Sequence, residues 1–72
     1  MNESDEVAEL RVMANAGNAG AQFNLGVMYD RGLGVPQDDV EAASWYRKAA
    51  NAGDLDAKNR LKKLYDDGRV PR

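Results

Sequence analysis

The chain repeats itself, and that self-similarity limits its possible folds more than any other feature. The segment Arg11-Val12-Met13-Ala14-Asn15-Ala16-Gly17 returns as Arg47-Lys48-Ala49-Ala50-Asn51-Ala52-Gly53, an offset of 36 residues. The same offset carries Ala21 onto Ala57, Leu25 onto Leu61, Tyr29 onto Tyr65, Asp30 onto Asp66 and Gly32 onto Gly68. One register accounts for every pair. A single supersecondary unit therefore occurs twice, and such a unit buries its apolar face only against its neighbour.

Caps and apolar spacing split each copy into two helices. Asn2 or Ser4 caps the first, which runs to about Ala16 and stops at Gly17, a residue free to adopt the left-handed conformation that closes a helix. Asn18 caps the second, whose Ala21, Leu25, Met28 and Tyr29 fall at helical spacing before Gly32. Leu33-Gly34-Val35-Pro36-Gln37 is a connector, because its glycine and proline interrupt a helix. Asp38 then starts the third helix, with Glu41 as its capping-box partner, and Gly53 ends it. Asp54 caps the fourth, built on Ala57, Leu61, Leu64 and Tyr65 and ending before Gly68. Each helix is about 12 to 15 residues, or roughly 20 Å at 1.5 Å per residue.

The turns within each copy are so short that paired helices must pack antiparallel. The predicted fold is all-α: an α/α solenoid of two helix-turn-helix repeats, residues 1–72 forming a single domain with repeat one at about 3–36 and repeat two at about 38–72. Small residues mark where helices approach closely: Ala14, Ala16, Ala21 and Gly26 in the first copy, Ala42, Ala43, Ala49, Ala50 and Ala57 in the second. Gly26 stands mid-helix, where glycine costs about 1 kcal/mol relative to alanine. That cost predicts a packing reason, namely that the third helix rests against it.

Composition removes whole classes of function. The chain has 72 residues, no Cys and no His, hence no disulfide framework, no thiolate, no imidazole and none of the usual transition-metal ligands. Ser4 and Ser44 have no base to activate them, so no catalytic residue, metal site or cofactor is expected. The neighbouring pairs Asp38-Asp39 and Asp66-Asp67 diverge around a helix and lack the spacing of a calcium loop. A net charge of −2 leaves no electrostatic footprint for nucleic acid or an anionic membrane. No apolar run approaches the roughly 18 to 20 residues of a transmembrane helix, and no signal peptide is visible. A soluble chain of unassigned compartment is expected.

The stretch from Ala21 to Asp38, with Leu25-Gly26, Tyr29, Gly32, Gly34-Val35 and Asp38, followed by Ala42, Trp45-Tyr46 and Lys48-Ala49-Ala50, closely resembles the SEL-one-like repeat (SLR) family. That family's pattern is AxxLGxxYxxGxGVxxD followed by AxxWYxKAAxxG. The resemblance spans about residues 5 to 68 and implies a tetratricopeptide-like right-handed superhelix whose repeat residues are structural. It also implies a scaffold or adaptor that binds another protein on the concave face lined by the first helix of each repeat. Cysteine-rich relatives have been ascribed weak β-lactamase activity, which does not carry over to a chain without Cys.

The two copies differ at their outer faces. Phe23, Gly26 and Val27 correspond to Asn59, Lys62 and Lys63, and Ala42 and Trp45 correspond to Glu6 and Glu9. Arg69-Val70-Pro71-Arg72 fails to repeat Leu33-Gly34-Val35-Pro36. These changes describe a closed unit with polar caps, while the acidic front and basic back also suit head-to-tail stacking into a homo-oligomer. The Lys58, Arg60, Lys62 and Lys63 cluster is expected to be a solvated end.

A helical wheel puts Val7, Leu10 and Ala14 inward on the first helix, with Ala43, Tyr46 and Ala50 equivalent on the third. The opposite side supplies the candidate protein-binding groove: Asp5, Ala8 and Val12 on the first helix, Glu41, Ser44 and Lys48 on the third. Trp45 could anchor a partner, but the resemblance implies that it packs between repeats, as this Trp does in the family's pattern, and Tyr29, Tyr46 and Tyr65 are read similarly, with their hydroxyls on polar groups. The alternative to a protein-binding scaffold is an autonomous or engineered minimal repeat module, structural or self-assembling, with no ligand of its own.

Overall fold

A computed structural model describes residues 4–71 and forms, among them, four helices and no strand. They are α1 (Asp5–Asn15), α2 (Ala19–Arg31), α3 (Asp39–Asn51) and α4 (Leu55–Asp66). The chain is an all-α solenoid of two helix-turn-helix repeats. The helices, at 11 to 13 residues, run slightly shorter than spacing suggested.

Each helix begins at a side-chain cap. Ser4 Oγ accepts the Val7 amide, Asn18 Oδ1 that of Ala21 and Asp54 Oδ1 that of Ala57. Asn2, the other candidate for the first cap, lies outside the described residues. Asp38 accepts from both Val40 and Glu41. The expected capping box is not completed, however. The Asp38 amide donates instead to the Tyr29 carbonyl at 2.9 Å, so the backbone of α2 takes the place of the Glu41 carboxylate and anchors α3 to the preceding repeat.

The equivalence of residues 36 apart holds at the level of single hydrogen bonds. Gly17 donates to Ala14 and Asn18 to Met13, just as Gly53 donates to Ala50 and Asp54 to Ala49. These are paired Schellman closures, and each needs a left-handed residue. Gly17 and Gly53 both have φ of +98°. The residue after each glycine both completes this closure and caps the next helix, which turns the chain back antiparallel within three residues.

Two apolar clusters form the core. One joins Val7, Ala14, Ala21, Leu25 and Val35 of repeat one to Trp45 of repeat two. The other joins Ala42, Ala43, Tyr46, Ala49, Ala57, Leu64 and Val70, with Phe23 and Val27 of repeat one packed against it. Side chains cross the junction in both directions, and the α2–α3 interface is the most extensive in the molecule. Ala16, expected at a close approach, is exposed at the end of α1 because it is the C-cap.

Gly26 has the packing reason its cost implied. A β-carbon built there would fall 2.5 Å from Tyr46 Cε1, so the ring lies on the bare backbone of α2. Phe23 packs beside it with ring centroids 5.9 Å apart.

The tail departs from expectation. Val70 is 7% exposed in the second cluster, as Val35 is 9% exposed in the first. With one residue omitted, Gly68-Arg69-Val70-Pro71 repeats Gly32-Leu33-Gly34-Val35-Pro36, and the valine of each connector closes its own repeat.

Candidate functional site

The candidate groove residues form two surface rows. Asp5, Ala8 and Val12 are exposed along α1, and Glu41 and Lys48 are exposed along α3 with Ser44 half-buried between them. Each row follows from the spacing i, i+3, i+7, which keeps three side chains on one helical face. The rows themselves stay apart, since no Cα of α1 lies within 8 Å of one of α3. Val12 is the outlier, an apolar side chain left 71% exposed. Its counterpart Lys48 extends its ammonium over the Trp45 ring, 4.3 Å from the centroid.

Trp45 is 5% exposed, so it serves as packing between the repeats. Its indole N–H is buried without a hydrogen-bond partner. Gln22 is likewise buried on α2, donating through Nε2 to the Ala14 carbonyl at 3.0 Å.

The tyrosine hydroxyls all reach polar groups. Arg11 donates to the Tyr29 hydroxyl at 2.8 Å, and Arg47 donates to the Tyr65 hydroxyl at 2.7 Å. These two clamps are copies of each other at the repeat offset, a signal present in the sequence but not recognised there as a contact. Tyr46 instead donates to Asp30 Oδ2 at 3.0 Å. Burial, and then this hydrogen bond, push its hydroxyl pKa well above the usual phenol range.

Arg69 is the polar residue that sequence reasoning missed. It bridges Asp30 Oδ1 at 2.5 Å and also pairs with Asp39, tying the tail to α2 and α3 together. The hydrogen bond from Arg69 holds the Asp39 carboxyl below its ordinary pKa, and the two carboxylates raise that of Arg69. Its sequence equivalent is Leu33, which gave no hint of an ion pair.

A concavity of 470 Å³ lies between α2 and α4 and holds Arg60, Lys63 and Arg69 beside Asp30. Those charges already have partners. Arg69 has its two aspartates, Lys63 pairs with Asp67 at 3.4 Å, and Arg60 lies over Phe23 at 5.6 Å. Lys62 pairs in the same i, i+4 manner with the other C-terminal aspartate, Asp66, at 2.7 Å, and both lysine pairs are exposed. Among the described residues no acidic group is arranged to hold a metal ion, and no helix is long and apolar enough to cross a membrane.

The Sel1 repeat matches residues 19–54, half of the chain. The chain belongs to the Sel1 repeat family.

The Sel1 match runs from the first residue of α2 to the cap of α4, one period of the tandem taken one helix out of phase with the hairpins. DAP3-binding cell death enhancer 1 of Rattus norvegicus is 33% identical over 66 residues, 92% of this chain and 13% of that protein. Chitin synthase regulator SKT5 of Saccharomyces cerevisiae is 45% identical over 49 residues, 68% of this chain and 7% of the regulator. Chitin synthase regulatory factor 3 of Schizosaccharomyces pombe is 44% identical over 45 residues, 62% of this chain and 5% of the factor. The chain thus spans a small part of each relative. No solved structure matches it significantly. Sel1 repeats generally mediate protein–protein interaction, and the relatives' names describe a DAP3-binding cell death enhancer, a chitin synthase regulator and a chitin synthase regulatory factor.

Proposed function

We propose that the chain is a non-catalytic scaffolding module that holds another protein on the face formed by the first helix of each repeat. The unit is a single domain over residues 1–72, with hairpins at about 3–36 and 38–72. The partner-contacting positions are Asp5, Ala8 and Val12 on α1 and Glu41, Ser44 and Lys48 on α3. The observation that carries this reading is Val12, an apolar side chain left 71% exposed in the α1 row at the position where α3 carries the charged Lys48.

The chemistry of the face specifies the kind of segment it takes. Acidic Asp5 and Glu41 stand near the helix N-termini, while Val12 and Lys48 stand toward the C-termini. An extended peptide with a basic residue over the first pair and an apolar residue over Val12 complements it. The relative named as DAP3-binding and the chitin synthase regulators support a protein-binding role in general.

The test is a pull-down with the chain and a Val12→Glu, Lys48→Glu variant, using Lys58→Glu on α4 as a control. We expect the double variant to stay helical and lose its captured proteins while the control keeps them. A folded double variant that captures the same set equally well refutes the groove.

A further inference from the structure

Between α1 and α2 lies a trough of 310 Å³ with Leu10, Met13, Val27, Met28 and Leu33 as its apolar lining, bordered on α1 by Glu6 and Glu9. The internal repeat explains what such a trough receives. Advanced by 36 residues, Glu6, Leu10 and Met13 become Ala42, Tyr46 and Ala49, all fully buried at the junction with α2. The trough therefore occupies the position of a helix-receiving surface. At the opposite end, α4 presents Asn59, Lys62 and Lys63 where α2 presents Phe23, Gly26 and Val27 to α3.

We infer that the trough is the docking site for α4 of a second copy of this chain, so that molecules join head to tail in the geometry of the internal junction. Charge selects this occupant. Glu6 and Glu9 bring two negative charges to one face, and Lys62 and Lys63 bring two positive charges to the other. Size agrees with charge. Gly26 accommodates the Tyr46 ring inside the molecule, whereas between molecules the shorter Leu10 leaves room for a Lys62 stem. The lysine stems cover Leu10 and Met13 while their ammonium groups reach Glu6 and Glu9.

Lys62 and Lys63 already pair with Asp66 and Asp67, but those exposed i, i+4 pairs are weak and yield readily to new partners. The rival contact, trough against trough, sets Glu6 and Glu9 against their own copies. Because the two faces differ, each addition exposes a fresh trough, and the product grows as a salt-sensitive chain of molecules. The groove positions on α1 and α3 take no part, so this association is separable from the proposed function.

The experiment is sedimentation of the protein across concentration and salt, with charge-swapped variants. We expect wild-type protein to associate with rising concentration at low salt and to dissociate when salt is added. Glu6→Lys with Glu9→Lys, and separately Lys62→Glu with Lys63→Glu, each weaken self-association roughly tenfold or more. An equimolar mixture of the two variants restores it, since opposite faces again meet. Circular dichroism verifies folding. If either variant loses helix, the neutral set Glu6→Gln, Glu9→Gln and the connector substitution Leu33→Asp provide the same readout. A wild-type monomer at every concentration overturns the inference. So does association that survives the Lys62→Glu, Lys63→Glu change, which points to trough-to-trough pairing.

Discussion

At the scale of single residues, Gly26 and Tyr46 carry the junction between repeats. Alanine at Gly26 gains about 1 kcal/mol of helix propensity, but its methyl would overlap a Tyr46 ring that is fully buried and has nowhere to move. We expect Gly26→Ala to destabilise the fold by about 1–2 kcal/mol net in urea denaturation, and the loss to shrink in a Tyr46→Leu background. Tyr46 also contributes to the loss of stability at alkaline pH. The unfolded chain releases this phenolic proton near its ordinary pKa of 10.0, whereas the folded chain, through burial and the bond to Asp30, retains it. The native state then binds more protons than the unfolded state, so stability falls as pH rises beyond that value. Tyr46→Phe should remove this part of the slope in a pH series of thermal melts. A slope unchanged in the variant would show that Tyr46 does not control it.

Among elements, the tail deserves the name of a fifth structural piece although it is not helical. Val70 closes the second cluster, and Arg69 ties Asp30 of α2 to Asp39 of α3. Val70→Ala removes two buried methyl groups and should cost about 1–2 kcal/mol, with faster amide hydrogen exchange concentrated in α4. Arg69→Ala should cost less, about 1 kcal/mol or below, because the guanidinium is partly solvated. Its pH signature is distinctive. The folded-state pKa of Asp39 is depressed by Arg69, so the stabilisation is present above the ordinary carboxylate value and disappears as pH falls through the lowered one. Arg69→Ala should therefore flatten the acid limb of the stability profile.

For the whole molecule, the question is whether two repeats behave as one. Solenoid repeats are held by nearest-neighbour interfaces, and a chain of two has a single such interface. Here Trp45 of repeat two sits in the core cluster of repeat one, while Phe23 and Val27 of repeat one pack on the cluster of repeat two. We expect Trp45 fluorescence and far-UV helicity to report coincident, single denaturation transitions. Separate transitions would mean that the hairpins unfold independently. By the same reasoning Trp45→Ala, at about 3–5 kcal/mol, should unfold both repeats together in a domain of this size.

What the amino-acid sequence determined by itself was local or periodic. Asn18, Asp38 and Asp54 as caps, Gly17 and Gly53 as stops, and the repeat offset all act within a few residues or through exact recurrence, whereas the first cap stayed open between Asn2 and Ser4. Gly26 was legible too, since a mid-helix glycine is costly unless something lies on it. Only the tertiary structure decided where side chains distant in the chain would meet. It gave the Asp38 amide to the Tyr29 carbonyl rather than to Glu41, made Val70 the counterpart of Val35 across a missing residue, and brought Arg69 to two aspartates. The groove shows the same division: periodicity puts Asp5, Ala8 and Val12 on one face of α1, but the separation of α1 from α3, and the seat of Lys48 on Trp45, depend on how the helices pack. A helix cap is chosen by its nearest neighbours, whereas a contact between repeats is chosen by shape and charge that arise only once both are folded.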